Sequence, residues 1–411
     1  MKLETLETFV VGNPPPRHGG RYFIFVRLTT ACGITGVGEI YNATFGPDIC
    51  CAMARDMFER QFDGADPHHI EALFRKSYGA GFTQRPDVSV MGVFSGLEMA
   101  CWDIIGKAAD KPIYELLGGR VHDRLRSYSY IYPPTGDVYP DPARPNAYND
   151  AAIAAEVAAG MVAQGFTAVK FDPAGPFSIY DGRQPRLDDI ALSVAFCREI
   201  RAAVGEKADL LFGTHGQFTV SGAKRMARAI ERFDPLWFEE PIPPDNLLEF
   251  QEVAQAVRIP IATGERLTTK SEFATLLRTG GAKILQPALG RVGGLNEARK
   301  IAALAEAFNA QIAPHLYAGP LEWAANIQLA AALPNALMVE SISTEGSFHE
   351  DLIRTPIRVE NGHITPPTAP GMGVELNEDV ARANPYEGHR LHLEMQGTPH
   401  DYSQENWFEG G

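Results

Sequence analysis

Short apolar runs recur through the second half of the chain, and most of them end in charged or polar residues. The runs fall at 125–131, 167–171, 208–213, 235–239, 260–264, 282–286, 310–314 and 336–340. Stretches with helical periodicity lie between them, at 151–164, 188–204, 220–232, 246–257, 270–279, 294–308 and 321–333. Continuous apolar runs indicate parallel strands that are covered on both faces. The alternation predicts a modified TIM barrel, (β/α)7β. An open doubly wound sheet is the alternative, but no glycine-rich phosphate motif follows an early strand.

The first part of the chain has a different pattern. A β-rich run at 22–28 and a second one at 33–39 predict a hairpin, and helical patterns follow at 48–60, 67–78 and 91–108. Strands followed by helices indicate an α+β domain over 1–124, before a barrel over 125–345. Residues 346–411 are rich in proline and glycine. We expect this C-terminal segment to pack back on the N-terminal domain.

The strand ends carry the candidate chemistry, because a barrel of this type gathers the C-terminal ends of its strands at one mouth. Glu239 and Glu265 end adjacent predicted strands. Two carboxylates that converge need a cation, and oxygen ligands suit Mg²⁺, with Mn²⁺ as a second choice. The alternative is that each is an exposed residue or a salt-bridge partner.

Four further residues at strand ends are candidates for proton transfer. Lys170 ends the second strand, and a lysine near a dication can have its pKa lowered enough to act as a base. Asp172 could accept a substrate hydroxyl or hold Lys170 in place. His215 and His315 end the third and seventh strands and could transfer protons near neutral pH. Each of the four could equally have a structural role, and a lone histidine usually does.

Composition narrows the class of partner and the compartment. The formal net charge is −14, which disfavours nucleic acid and anionic membranes as partners. It does not exclude a small anionic substrate, because a local cation can reverse the field in a cleft. The chain has five cysteines without a CxxC pair, and no signal peptide is evident. These features predict a cytoplasmic protein.

Six motifs in order resemble the enolase superfamily, specifically its mandelate racemase and acid-sugar dehydratase branch. The resemblance extends to about residue 385 and includes an N-terminal run at 100–107, continued at 112–119. The barrel motifs lie at 238–241, 262–267, 284–287, 293–295 and 313–315.

The resemblance implies a capping domain over the barrel and removal of a proton alpha to a carboxylate. It implies that a Mg²⁺ ion held by Glu239 and Glu265 stabilises the enediolate. Lys170 would be one base, and His315 would be a base or an acid on the other face. Glu340 would help to hold the substrate carboxylate or the enolate oxygen. Relatives form dimers or octamers, so a homo-oligomer is expected.

Two positions depart from the family pattern. Gly213 stands where relatives commonly have a third metal-binding aspartate, and Ala288 stands where an aspartate usually pairs with the seventh-strand histidine. His215 could complete the metal sphere in place of Gly213, and such a mixed site of nitrogen and oxygen ligands would also admit Zn²⁺. His315, without an acceptor to fix its tautomer, should be a poorer base.

The motifs resemble acid-sugar dehydratases most, so the leading hypothesis is dehydration of an aldonate or aldarate to a 2-keto-3-deoxy acid. The alternatives are a racemase, epimerase or lactone cycloisomerase, and an inactive protein that binds the ligand. Specificity should lie in loops of the N-terminal domain and on the first barrel strand. The candidate residues for substrate binding there are Arg17, His18, Tyr41 and Tyr130.

Overall fold

The computed structural model describes residues 1–133, 136–342 and 347–399. Its N-terminal domain has an antiparallel sheet of three strands, in the order β1-β2-β3. The strands and the helices of this domain are β1 (Leu3–Gly12), β2 (Tyr22–Thr30), β3 (Thr35–Ile40), α1 (Pro47–Met57), α2 (Ile70–Tyr78), α3 (Val88–Ala109) and α4 (Ile113–Leu116). The hairpin and the three helical stretches are confirmed, and β1 is an additional strand.

Helix α3 is the core of this domain and packs directly on β3. A Cβ at Gly36 would lie 2.2 Å from the backbone oxygen of Ala100, and one at Gly38 would lie 2.1 Å from that of Gly96. Only glycine therefore allows this helix–strand distance. By length and composition α3 could cross a membrane, but 78% of its most apolar window is buried inside the fold.

The second part is a parallel barrel of eight strands with seven main helices between them. The first four strands and the helices that follow them are β4 (Leu125–Tyr130), α5 (Ala151–Ala163), β5 (Ala168–Phe171), α6 (Leu187–Val204), β6 (Asp209–Gly213), α7 (Val220–Ile230), β7 (Trp237–Glu239) and α8 (Glu249–Ala256). The remainder are β8 (Ile261–Thr263), α9 (Thr269–Thr279), β9 (Ile284–Leu285), α10 (Leu289–Val292), α11 (Gly294–Ala307), β10 (Gln311–Ile312), α12 (Pro320–Ala332) and β11 (Val339–Ser341). The predicted barrel is confirmed, with α10 as an extra short helix.

The barrel closes on both sides of its first strand. Strands β4 to β10 pair in sequence, and β11 pairs in parallel with β4. A bridge between Ile312 and Ala336 joins the last two strands. Large side chains fill the interior, where the rings of Tyr128 and Trp237 meet edge to face with centres 5.3 Å apart. A packed interior leaves the C-terminal mouth as the place for a ligand.

The C-terminal segment contacts both domains. Its elements are α13 (Phe348–Asp351), β12 (Val359–Glu360), β13 (His363–Ile364) and α14 (Glu378–Ala383). Strand β13 pairs antiparallel with barrel strand β4, whereas the chain after α14 hydrogen-bonds to β1. Residues 391–398 then run between the N-terminal domain and the loop that follows β5.

Candidate active site

The barrel mouth brings together charged side chains from six strands. The parallel register aligns Gly213 with Glu239, and Lys170 with Leu211 on the neighbouring strand. Because the strands are short and buried, the polar residues at their C-terminal ends lie at the same level of the barrel. The side chains gathered there, all largely buried, are Lys170, Asp172, His215, Glu239, Glu265, His315 and Glu340.

Lys170 is bound by two carboxylates. Its Nζ lies 2.6 Å from Oε1 of Glu239 and 3.5 Å from Oε1 of Glu340. Burial alone would lower the pKa of Lys170, but the two carboxylates outweigh burial and raise that pKa well above its ordinary value. The expectation of a lysine with a lowered pKa is therefore wrong for this arrangement, because Glu239 and Glu340 stabilise the ammonium form.

The two carboxylates are themselves held in place. Gln286, at the end of β9, donates from Nε2 to Oε2 of Glu239 over 2.7 Å. The backbone N–H of Leu316 donates to Oε2 of Glu340 over 2.8 Å. Each carboxylate thus has one oxygen on Lys170 and the other on a fixed donor, which orients both groups toward the lysine.

His215 forms a pair with Asp172 rather than standing alone. Nδ1 of His215 hydrogen-bonds to Oδ2 of Asp172. His215 lies in a turn and has a positive φ of 47°. Its backbone carbonyl accepts a hydrogen bond of 3.1 Å from the guanidinium of Arg266. Burial would lower the pKa of His215, but Asp172 raises it to about 9. Asp172 therefore holds the imidazole of His215 in place, and does not hold Lys170.

His315 has a carboxylate partner despite Ala288. Its Nε2 lies 2.9 Å from Oε2 of Glu265, and its Nδ1 is buried without a hydrogen-bond partner. Burial is the largest influence on both groups, but the ion pair outweighs it, raising the pKa of His315 and lowering that of Glu265 well below its ordinary value. The expectation that His315 lacks a partner is wrong, because Glu265 from β8 takes that place.

The predicted metal ligands do not form a set in this structure. Glu239 pairs with Lys170, Glu265 with His315 and His215 with Asp172. Within 1–133, 136–342 and 347–399, no three His, Cys, Asp or Glu side chains are close enough together to hold a metal ion. The residues as placed therefore do not fit a metal centre.

Gly213 leaves space where a third carboxylate would stand. A Cβ added there would lie 3.8 Å from the backbone oxygen of Phe171 and 3.9 Å from both Oδ2 of Asp172 and Cε of Lys170. These are ordinary contact distances. The positive charge at this point of the mouth is supplied by Lys170.

The candidate residues for substrate binding lie at different distances from this cluster. The Tyr41 ring stacks on His315 with centres 6.1 Å apart, so Tyr41 lines the site. The ring of His18 packs at a tilt against Tyr132, which also contacts Tyr130. Arg17 forms an ion pair with Asp137. Its guanidinium already has a counter-ion, which weakens its assignment to the substrate.

Three residues near the site were not among the sequence candidates. Gln286 lies within a motif and Arg291 lies between two motifs, but nothing in these motifs indicates which side chain points at the mouth. His392 lies in the C-terminal segment, where the sequence has no periodicity, and its ring packs against Tyr41. Contacts between segments this far apart in sequence leave no local signal.

Comparison with protein families identifies both parts of the chain. Residues 17–118 match the model described as mandelate racemase/muconate lactonizing enzyme, N-terminal domain. Residues 152–380 match the model described as enolase C-terminal domain-like.

Curated relatives with named activities align over most of the chain. D-xylonate dehydratase of Haloferax volcanii is 34% identical, covering 93% of this chain and 89% of the relative. D-galactonate dehydratase of Ralstonia nicotianae is 33% identical, covering 92% and 93%.

Solved structures include more similar proteins. A putative mandelate racemase/muconate lactonizing enzyme from Labrenzia alexandrii is 68% identical with a TM-score of 0.93, and the match covers 96% of this chain and all of that one. A mandelate racemase/muconate lactonizing enzyme-like protein from a Roseovarius species is 57% identical with a TM-score of 0.94, covering 98% and 100%.

Proposed function

Because the chain belongs to the enolase superfamily, in its mandelate racemase/muconate lactonizing enzyme branch, we propose that it dehydrates an acid sugar. The reaction breaks the C2–H bond and the C3–O bond of the sugar acid. Water leaves, and the enol tautomerises to a 2-keto-3-deoxy acid. The dehydratases among its relatives, at 33–34% identity over most of the chain, support this reaction class.

The observation that carries the proposal is the set of three buried cation–carboxylate units at one mouth. Lys170 is our candidate for removing the C2 proton, because Glu239 and Glu340 stabilise the ammonium that it becomes. The same ammonium can stabilise the negative charge that builds up on the substrate carboxylate. To start a turnover Lys170 must be neutral, so its contacts with the carboxylates have to loosen when substrate enters.

His215 is our candidate for the acid that protonates the leaving C3 hydroxyl. Asp172 fixes the imidazole through Nδ1, so that Nε2 is the nitrogen left to exchange a proton with substrate. Asp172 acts here as a positioning residue.

A second candidate function is epimerisation at C2. The pair of His315 with Glu265 supports it, because a base on the other face of the substrate would need such a partner. In that reaction C2 exchanges its proton and no water is lost.

Dehydratases of this superfamily generally depend on a divalent metal ion. We propose Mg²⁺, or else Mn²⁺, as the ion to test. Since the described residues do not form its site as placed, the proton transfers above are assigned to side chains alone.

Proton NMR in D₂O tests the proposal, with pooled aldonates and aldarates and with Mg²⁺ either present or absent. Dehydration removes the C2 signal and produces deoxy-methylene signals. We expect Lys170→Met to abolish both changes, with Lys111→Met, an exposed lysine, as the control. Loss of the C2 signal alone would favour epimerisation, and an unchanged spectrum in every pool would contradict both reactions.

A further inference from the structure

Arg291 is a cation beside the active site without a carboxylate partner among the described residues. It lies in α10, and its guanidinium carbon is 3.9 Å from the centre of the Tyr41 ring. Nη1 makes only a long bond of 3.4 Å to the backbone oxygen of Glu265, and Nε is buried without a partner. The guanidinium of an arginine stays protonated even when it is partly buried, so this position favours the binding of an anion.

His392 presents a second unpartnered polar atom beside Tyr41. It is 5% exposed, and its Nδ1 has no hydrogen-bond partner. Its ring packs against Tyr41 and Tyr317, with centres 5.2 and 5.8 Å away. Burial lowers the pKa of His392 to about 3, with a smaller contribution from Arg291. The neutral ring donates its one N–H to the backbone oxygen of Gly19, so Nδ1 is left as an acceptor for a hydroxyl group of a ligand.

Tyr41 connects these two groups to the reacting centre. The ring of Tyr41 stacks on His315, and it also contacts Arg291 and His392. We call Tyr41, Arg291 and His392 the distal wall. A ligand whose carboxylate end lies at Lys170 and His315 would extend its other end toward this wall.

We propose that the distal wall selects a dicarboxylic acid sugar, an aldarate, whose second carboxylate binds Arg291 and whose neighbouring hydroxyl donates to Nδ1 of His392. This inference rests on the proposed function and narrows its substrate. A planar guanidinium matches a carboxylate in geometry and charge, whereas a neutral hydroxyl would leave Arg291 without an ion-pair contact. Xylonate and galactonate, named for two relatives, have a single carboxylate.

Turnover by the full-length protein tests the role of Arg291. The measured quantity is kcat/KM for galactarate and glucarate, each compared with galactonate and gluconate. We expect the wild-type protein to favour the dicarboxylates. Arg291→Met should lower their kcat/KM about 10- to 100-fold, as for loss of a charged hydrogen bond, and change the monocarboxylates less than about threefold. Arg390→Met, at an exposed arginine, should change neither.

His392→Phe keeps an aromatic ring and removes the Nδ1 acceptor. It should lower kcat/KM for the dicarboxylates by about three- to tenfold, and His389→Phe, at an exposed histidine, is its control. Equal losses for both substrate classes in Arg291→Met, or a wild-type preference for monocarboxylates, would overturn the proposal.

Calorimetric binding of galactarate separates this inference from the proposed function. If wild type turns over no acid sugar but binds galactarate at least tenfold more tightly than Arg291→Met does, the dehydration proposal fails and the distal wall stands. If acid sugars turn over and Arg291→Met changes neither affinity nor preference, the distal wall fails and dehydration stands.

Discussion

At the scale of single residues, the missing side chain of Gly213 determines which charged groups pair at the barrel mouth. Without a side chain there, Glu239 has Lys170 as its nearest cation, at 2.6 Å. The space beside Gly213 is bordered by Asp172 and Lys170. A carboxylate in this space would add an oxygen donor for a divalent ion that the described residues do not provide there, and it would compete with Glu239 for the lysine.

Gly213→Asp should therefore increase the affinity for Mg²⁺. A third charged ligand raises the affinity of an oxygen site, and we expect a gain of at least tenfold in calorimetric titration. Gly46→Asp adds the same charge at a helix N-cap away from the site and should leave the affinity unchanged. Equal affinities for Gly213→Asp and wild type would contradict this account of the mouth.

The sequence predicts which residues lie at the mouth but not how they pair. Strand ends follow from the apolar runs, so Lys170, Glu239 and His315 could be placed there. Whether His315 has an acceptor depends on the distance to Glu265, fifty residues earlier, which no motif encodes. His392 could not be found at all, because its position depends on the packing of a segment without periodicity.

At the scale of elements, two glutamates of the N-terminal domain cap barrel helices. Glu98, on α3, accepts bonds of 2.8 and 2.9 Å from the N–H groups of Leu295 and Asn296 in α11. Glu39, on β3, accepts bonds of 2.6 and 3.0 Å from Gly319 and Glu322 at the start of α12. The oxygens of these two side chains satisfy N–H groups that a helix leaves free at its N-terminus.

The buried position of Glu98 should make stability depend on pH. Burial raises the pKa of Glu98 from 4.5 to about 8. The folded state therefore holds a proton that the unfolded chain releases above 4.5, and the stability this provides is lost as the pH rises toward 8.

Between pH 5 and 8, the unfolding free energy of wild type should fall relative to that of Glu98→Gln, by up to about 1.4 kcal/mol per pH unit. Urea unfolding at several pH values measures the difference. Glu387→Gln, at an exposed glutamate, should run parallel to wild type. Parallel curves for Glu98→Gln as well would show that Glu98 ionises freely in the fold.

Element bounds were predicted closely where the local pattern is clear, as in the buried apolar run of β5 and the helical period of α6. Strands β12 and β13 have two residues each and gain their register from β4, so their own sequence contains too little pattern. Their existence depends on tertiary pairing.

At the scale of the molecule, residues 391–398 join the two domains across the mouth. The carbonyl of His392 accepts from the N–H of Arg21 over 3.3 Å. Gln396 exchanges two backbone bonds of 3.1 Å with Phe177 and Ile179 in the loop after β5. This segment therefore helps to cover the site, whereas assembly into a homo-oligomer stays a prediction.

A chain ending at residue 387 should retain its circular dichroism spectrum but bind acid sugars poorly. Loss of His392 and of the bonds to the loop after β5 should raise KM at least tenfold and expose that loop to limited proteolysis. A chain ending at residue 399 keeps the segment and serves as the reference. An unchanged KM in the shorter chain would show that residues 388–399 do not contribute to the site.

The two capping glutamates also limit how this protein can be recombined. A hybrid enzyme that joins this barrel to the first domain of a relative would inherit two barrel helices whose starting N–H groups rely on acids from the exchanged part. Domain shuffling for new specificity would therefore work only with donors that carry glutamate at both equivalent positions, or with exchange points that move Glu39 and Glu98 together with the barrel.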